Sequence, residues 1–130
     1  MADGLCPTLL ANKWLNWLSG TAETAPAANY IELHTASPGV AGTTAVSSVT
    51  TRVAATSSAA SAGVLTMSNS PAWTSWAGTN GEIVTDIAVW DTITGGNFLY
   101  SVALTSSKTV NTGDTLTLTS LTVTLSPLAA

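Results

Sequence analysis

Leu10, Trp14, Trp17 and Leu18 recur at i, i+4, i+7 and i+8, the spacing of one face of an α-helix. Pro7 suits a first helical turn, where its missing N–H costs little. Gly20 suits the left-handed position just past a helix end. The spacing predicts one helix over about residues 7–19. Helical periodicity then stops. Residues 21–29 read as a connector, and residues 30–35 alternate. Ile31 and Leu33 point to one side, while Tyr30, Glu32 and His34 point to the other. Ser37-Pro38-Gly39 is a turn signal. Short strands are expected at residues 51–55 and 64–68, separated by the small, low-complexity run 57–63. Residues 69–81 carry Pro71, Trp73, Trp76 and two glycines, and read as a loop with tryptophan anchors.

Strand signals strengthen in the C-terminal half. Residues 82–91 predict a central strand, apolar on both faces near Ile87–Trp90. Gly95-Gly96 marks a hairpin turn, and residues 98–104 return as the next strand. Residues 111–114 form another turn. In residues 115–125, Leu116 and Leu118 share a face, whereas Leu121, Val123 and Leu125 fall one position out of phase. One extra residue resets strand parity, so a bulge is expected near Thr119–Ser120. The pattern predicts a mainly β fold: an antiparallel β-sandwich of about six to eight strands led by one helix, with 1–130 forming a single domain.

Composition narrows the function classes. Hydrophobic residues make up 45% of the 130 residues and charged residues only 8%, with a net charge of -4. Lys13, Arg52 and Lys108 are scattered, which argues against a nucleic-acid partner, since phosphate binding needs clustered cations. The N-terminal run lacks the charged start and apolar core of a signal peptide, and no apolar stretch nears the roughly 20 residues of a membrane span. Neither export nor a membrane partner is expected. Low charge is tolerable where neighbouring subunits cover much of the surface, so the balance points toward an assembly component.

No catalytic, cofactor or metal set emerges from the chain. Tyr30, Glu32 and His34 share a strand face, so a small polar site around the single histidine is conceivable. A solvent or interface face of a strand is the plainer reading. Glu32, Glu82, Asp86 and Asp91 are not brought into a catalytic pair by anything in the sequence, and Asp91 suits a hairpin turn. One His, one Cys and scattered carboxylates make no zinc signature. Cys6, at the helix start, lacks a resolving cysteine and reads as a buried or incidental thiol. The five tryptophans are the better leads. Trp14 and Trp17 are expected to pack, within the chain or between subunits. Trp73 and Trp76 are the candidates for an external contact, giving a candidate interface of Trp14, Trp17, Trp73 and Trp76.

Two blocks carry a family resemblance. The first is the helix followed by TAPAANYIELHTASPGVAG. The second is EIVTDIAVWDTITGGNFLYSVALTSSKTVNTGDTLTL, whose turns contain Asp91, Thr94, Gly95, Gly96 and Asn97, then Lys108, Val110, Gly113 and Asp114. This order resembles the small tailed-phage virion structural proteins of actinobacterial phages, often labelled minor tail or tail-fibre proteins. The shared motifs are turns and carry over no catalytic residues. The resemblance implies a non-enzymatic virion protein, made in the host cytoplasm. A capsid decoration (cement) protein on the outer shell is the first expectation, bound to the major capsid protein or other virion proteins. The alternative is a minor tail or tail-fibre tip that binds a host receptor or glycan through Trp73 and Trp76. A hydrolase around His34 is a distant third. A homo-oligomer is expected, with a trimer as the first guess.

Overall fold

In the computed structural model, which describes residues 3–126 and 129, the predicted helix is α1, Leu10–Leu18. It is shorter than the sequence pattern implied. Pro7, Thr8 and Leu9 form a turn ahead of it, and no side chain caps its first N–H groups. Its C-terminus closes as expected, with the Gly20 N–H donating to the Trp17 carbonyl (3.1 Å) at φ +85°.

The strands are β1 (Asn29–His34), β2 (Val53–Ala55), β3 (Val64–Thr66), β4 (Ala72–Trp73), β5 (Glu82–Trp90), β6 (Phe98–Val110), β7 (Leu116–Thr117) and β8 (Thr122–Thr124). An antiparallel sheet of order β2-β1-β5-β6 forms the centre, and the two-stranded sheets β3-β8 and β4-β7 complete the fold. This is the expected mainly β, sandwich-like architecture.

Register sorts the side chains of the central sheet. Paired residues share a face. Ile31 opposes Val89 and Leu33 opposes Ile87, and these continue onto Tyr100 and Val102 of β6. That apolar face packs toward Trp73 of β4 and Leu116 of β7. The opposite face carries Glu32, His34, Asp86, Ala88 and Ser101. It is buried too, contrary to the solvent-facing reading of Glu32 and His34. The segment after β1 folds back over it. The Ser47 N–H donates to the Leu33 carbonyl (2.9 Å), the Thr35 N–H to the Ala45 carbonyl (2.9 Å), and Gly42 lies against the Phe98 ring. The Glu82 carboxylate holds the end of this segment, accepting from the Ser47 hydroxyl and the Ser48 N–H.

The C-terminal run differs from the single bulged strand expected. It breaks after Thr117 and resumes at Thr122, so Leu116 pairs with Trp73 while Val123 pairs with Leu65. Changing partner between two small sheets resolves the parity shift that a bulge would have absorbed. The larger irregularity sits in β6. Asp86 opposes Ala103, yet Val84 opposes Lys108, so residues 104–107 bulge away from β5.

Candidate functional site

Residues 3–6 bind α1 to the body. They lie along the outer edge of β6, where Leu5 bridges Tyr100. The Cys6 N–H donates to the Leu99 carbonyl (2.7 Å) and the Ser101 N–H to the Gly4 carbonyl (2.9 Å). The Asp3 carboxylate accepts from the Ser101 hydroxyl at 3.0 Å. Cys6 is buried here, as its plainer reading held. Leu10 plugs the start of α1 into the core. Beyond Leu10 the helix turns away from the sheet.

The stripe that defined the helix is therefore uncovered. Trp14 is 37% exposed, Leu15 63%, Trp17 69% and Leu18 72%. Packing within the chain, one of the two expectations for Trp14 and Trp17, holds in part for Trp14 and not for Trp17, while Leu10 at the head of the stripe is buried. The far side is tied down instead. Lys13 Nζ pairs with Glu23 Oε2 at 3.3 Å, and Asn16 Nδ2 donates to Glu23 Oε1 at 2.6 Å, stapling the connector to the helix. The Asn16 amide, and then Lys13, hold the Glu23 carboxyl below its ordinary range. The four apolar side chains present roughly 450 Å² to solvent, given 150–250 Å² for a large aromatic side chain, as much as the largest patch of a typical monomer.

Trp73 and Trp76 correct the expectation of an external platform. They are 4% and 2% exposed. Their indole N–H groups are satisfied inside the chain, Trp73 Nε1 donating to the Thr51 carbonyl (2.8 Å) and Trp76 Nε1 to the Thr79 carbonyl (3.1 Å). The Trp76 backbone also pairs with Gly113 and Asp114, tying the loop to the later turn. Both rings belong to the core, because the small β4-β7 sheet needs large side chains to fill the space beneath it.

The polar face of the central sheet forms a second cluster. Arg52 Nε donates to Glu32 Oε1 at 3.2 Å, and its Nη1 donates to the Thr92 and Gly95 carbonyls at 3.1 and 2.7 Å. The guanidinium stacks 3.9 Å above the Trp90 ring. Burial alone would raise the Glu32 carboxyl. His34 and Arg52 outweigh it and hold the group below its ordinary range. His34 is 0% exposed and its Nδ1 must donate, because its partner at 2.8 Å is the Thr44 carbonyl. Its Nε2 lies 3.4 Å from Glu32 Oε2 without hydrogen-bond alignment. Asp86, opposite His34 in register, is raised by burial and by the Asp3 carboxyl beside it. The cluster holds residues 35–52 and the N-terminal segment against the sheet, and it does not present His34 to a cleft. The Arg52 contacts are invisible to sequence reasoning, since Arg52 is 20 residues from Glu32 and 38 from Trp90; its one signal is a lone cation beside a strand.

Asp91 lies in the hairpin turn, as its sequence position suggested. It accepts from the Asn97 N–H and from Asn97 Nδ2, both at 2.7 Å. Among the described residues, no three His, Cys, Asp or Glu side chains gather as a metal site. The candidate surface is thus the outer face of α1.

Residues 6–126 match the family described as Gp80: Podophage GP4 fiber I protein gp80. No curated protein matches the chain.

Proposed function

The chain belongs to the podophage GP4 fiber I protein gp80 family, and from that premise we propose that it is a tail-fibre component incorporated through the exposed face of α1. The uncovered stripe of Trp14, Leu15, Trp17 and Leu18 carries this reading. Trp73, Trp76, Trp90 and Phe98 are buried in the core, and other exposed apolar side chains such as Val40, Ile83, Ile93 and Leu125 lie apart in sequence, whereas these four stand together on one helix as a surface for another subunit. The role is structural rather than catalytic. The family description favours the tail over the capsid exterior, so the decoration role expected from the sequence takes second place. A receptor tip built on Trp73 and Trp76 loses its support, because both rings are internal.

The test is incorporation. Trp17→Glu places a charge on the stripe at a position 69% exposed, where the fold itself has little to lose. Virions carrying this substitution are expected to lack the protein in mass spectrometry, while the folded variant accumulates free in the lysate. Incorporation at wild-type copy number would refute the assignment of this surface.

A further inference from the structure

The fold carries an apolar knob and an apolar hole at different places. The knob is α1, with Trp17 the most exposed of its rings. The hole lies between the central sheet and β7, a cavity of about 160 Å³ walled by Leu33, Ile87, Val102, Leu104, Leu116 and Leu118. An apolar cavity of about 150 Å³ takes one benzene-sized ring. The cavity therefore matches the six-membered edge of a single indole. Exposed Ser106, Lys108 and Thr119 also line it, so it is reached from the surface rather than sealed.

The two features do not meet within one chain. The turn leading into α1 adjoins Phe98, at the first end of β6, whereas β6 walls the hole from Val102 to Lys108. At roughly 3.3 Å per residue the near wall lies about 13 Å along the strand from Phe98 and the far wall up to about 30 Å, less where β6 bulges. Trp17 stands open to solvent and does not fill its own chain's cavity.

We propose that Trp17 of one copy inserts into the Leu33–Leu118 cavity of a second copy, joining subunits head to tail. This rests on the tail-fibre reading and names the partner of its α1 surface. A contact between two different patches is heterologous. It closes into a ring, such as a trimer, if the rotation permits, and runs on as a filament if not. The bulge at residues 104–107 then has a use, since it draws β6 away from β5 and leaves the wall of the hole open. The roughly 450 Å² offered by the helix is short of the usual 800 Å² per partner, so the contact is weak between free subunits and gains strength in a multivalent particle.

Sedimentation velocity over a concentration series tests this with the full chain. Wild-type protein is expected to self-associate. Trp17→Glu removes the knob and should raise the association midpoint about thirtyfold or more, as loss of a hot-spot side chain does. Thr119→Arg or Ser106→Arg, both at exposed positions, should block the hole to a similar extent. Near-ultraviolet circular dichroism checks that each variant keeps its tryptophan packing. Mixing decides the geometry. A knob variant and a hole variant, each monomeric alone, should form a one-to-one dimer, because one intact knob still meets one intact hole. A mixture that stays monomeric overturns the proposal, as does a hole variant that associates like wild type, which would indicate a symmetric helix-to-helix contact. Wild-type protein that stays monomeric at every concentration also overturns it. That result leaves incorporation through α1 standing if Trp17→Glu still removes the protein from virions.

Discussion

Replacing Arg52 by alanine is the sharpest test of how the polar face is held. The guanidinium and the Glu32 carboxylate are each 9% exposed. Deletion of the cation leaves Glu32 buried beside His34 and strips the Thr92 and Gly95 carbonyls of their donor. It also uncovers the Trp90 ring, which the guanidinium covers at 3.9 Å. Removing one partner of a buried pair costs about 3–5 kcal/mol, and the other contacts overlap with that figure rather than add to it. Against a total stability of about 5–15 kcal/mol this is a large fraction. With a urea m-value of about 1.5–2 kcal/mol/M, the unfolding midpoint should fall by about 2 M, followed by tryptophan fluorescence. Arg52→Lys keeps the charge but loses the planar fork, and should cost less, about 1–2 kcal/mol. The pH dependence supplies a second readout. A carboxyl held below its unfolded value contributes stability above that value and loses it as pH falls through the folded value. Glu32 is such a group, so the gap between wild type and Arg52→Ala should narrow below about pH 4. A loss under about 1 kcal/mol at neutral pH, or a gap that widens on acidification, would show that the Arg52–Glu32 pair does not hold the polar face.

Three further outcomes follow from the same geometry. Gly42→Ala forces a side chain onto φ +71° and into the Phe98 ring, so it should cost about 1–3 kcal/mol and lower Tm by several degrees in calorimetry. Asp91→Ala removes two acceptor contacts to Asn97 from the β5–β6 hairpin and should cost about 0.5–2 kcal/mol in urea unfolding, as loss of a comparable capping side chain does. Asp86 runs opposite to Glu32. Its carboxyl is raised by burial and by Asp3, so wild-type stability from this group is present at low pH and lost as pH rises through the raised value. Asp86→Asn should therefore gain on wild type between pH 3 and pH 7 in parallel melts, and a gain confined to acid pH would contradict the assignment.

The helix was legible because 3.6-residue periodicity is local, and its stripe falls within Leu10–Leu18. Whether that stripe packs inward or outward was not legible, since it depends on residues 3–6 tying α1 to the edge of β6. Alternation located β1 and β5 to within a residue at most of their ends. It misread the environment of Glu32 and His34, because alternation reports two faces but not what covers them. Here the segment from Thr35 to Ser48 folds back and buries the polar face. The phase shift between Leu118 and Leu121 was a true signal with two structural solutions, and the fold takes the change of partner rather than the bulge. Trp73 and Trp76 carried no periodicity. Their burial follows from filling space under a two-stranded sheet, a tertiary fact with no local mark.

Gold labelling of intact virions with an antibody to this chain, viewed by electron microscopy, separates a tail-fibre component from a capsid component. A fibre component carries label confined to the tail end of the particle. Label spread over the head would rule out the tail assignment and return the protein to the capsid surface.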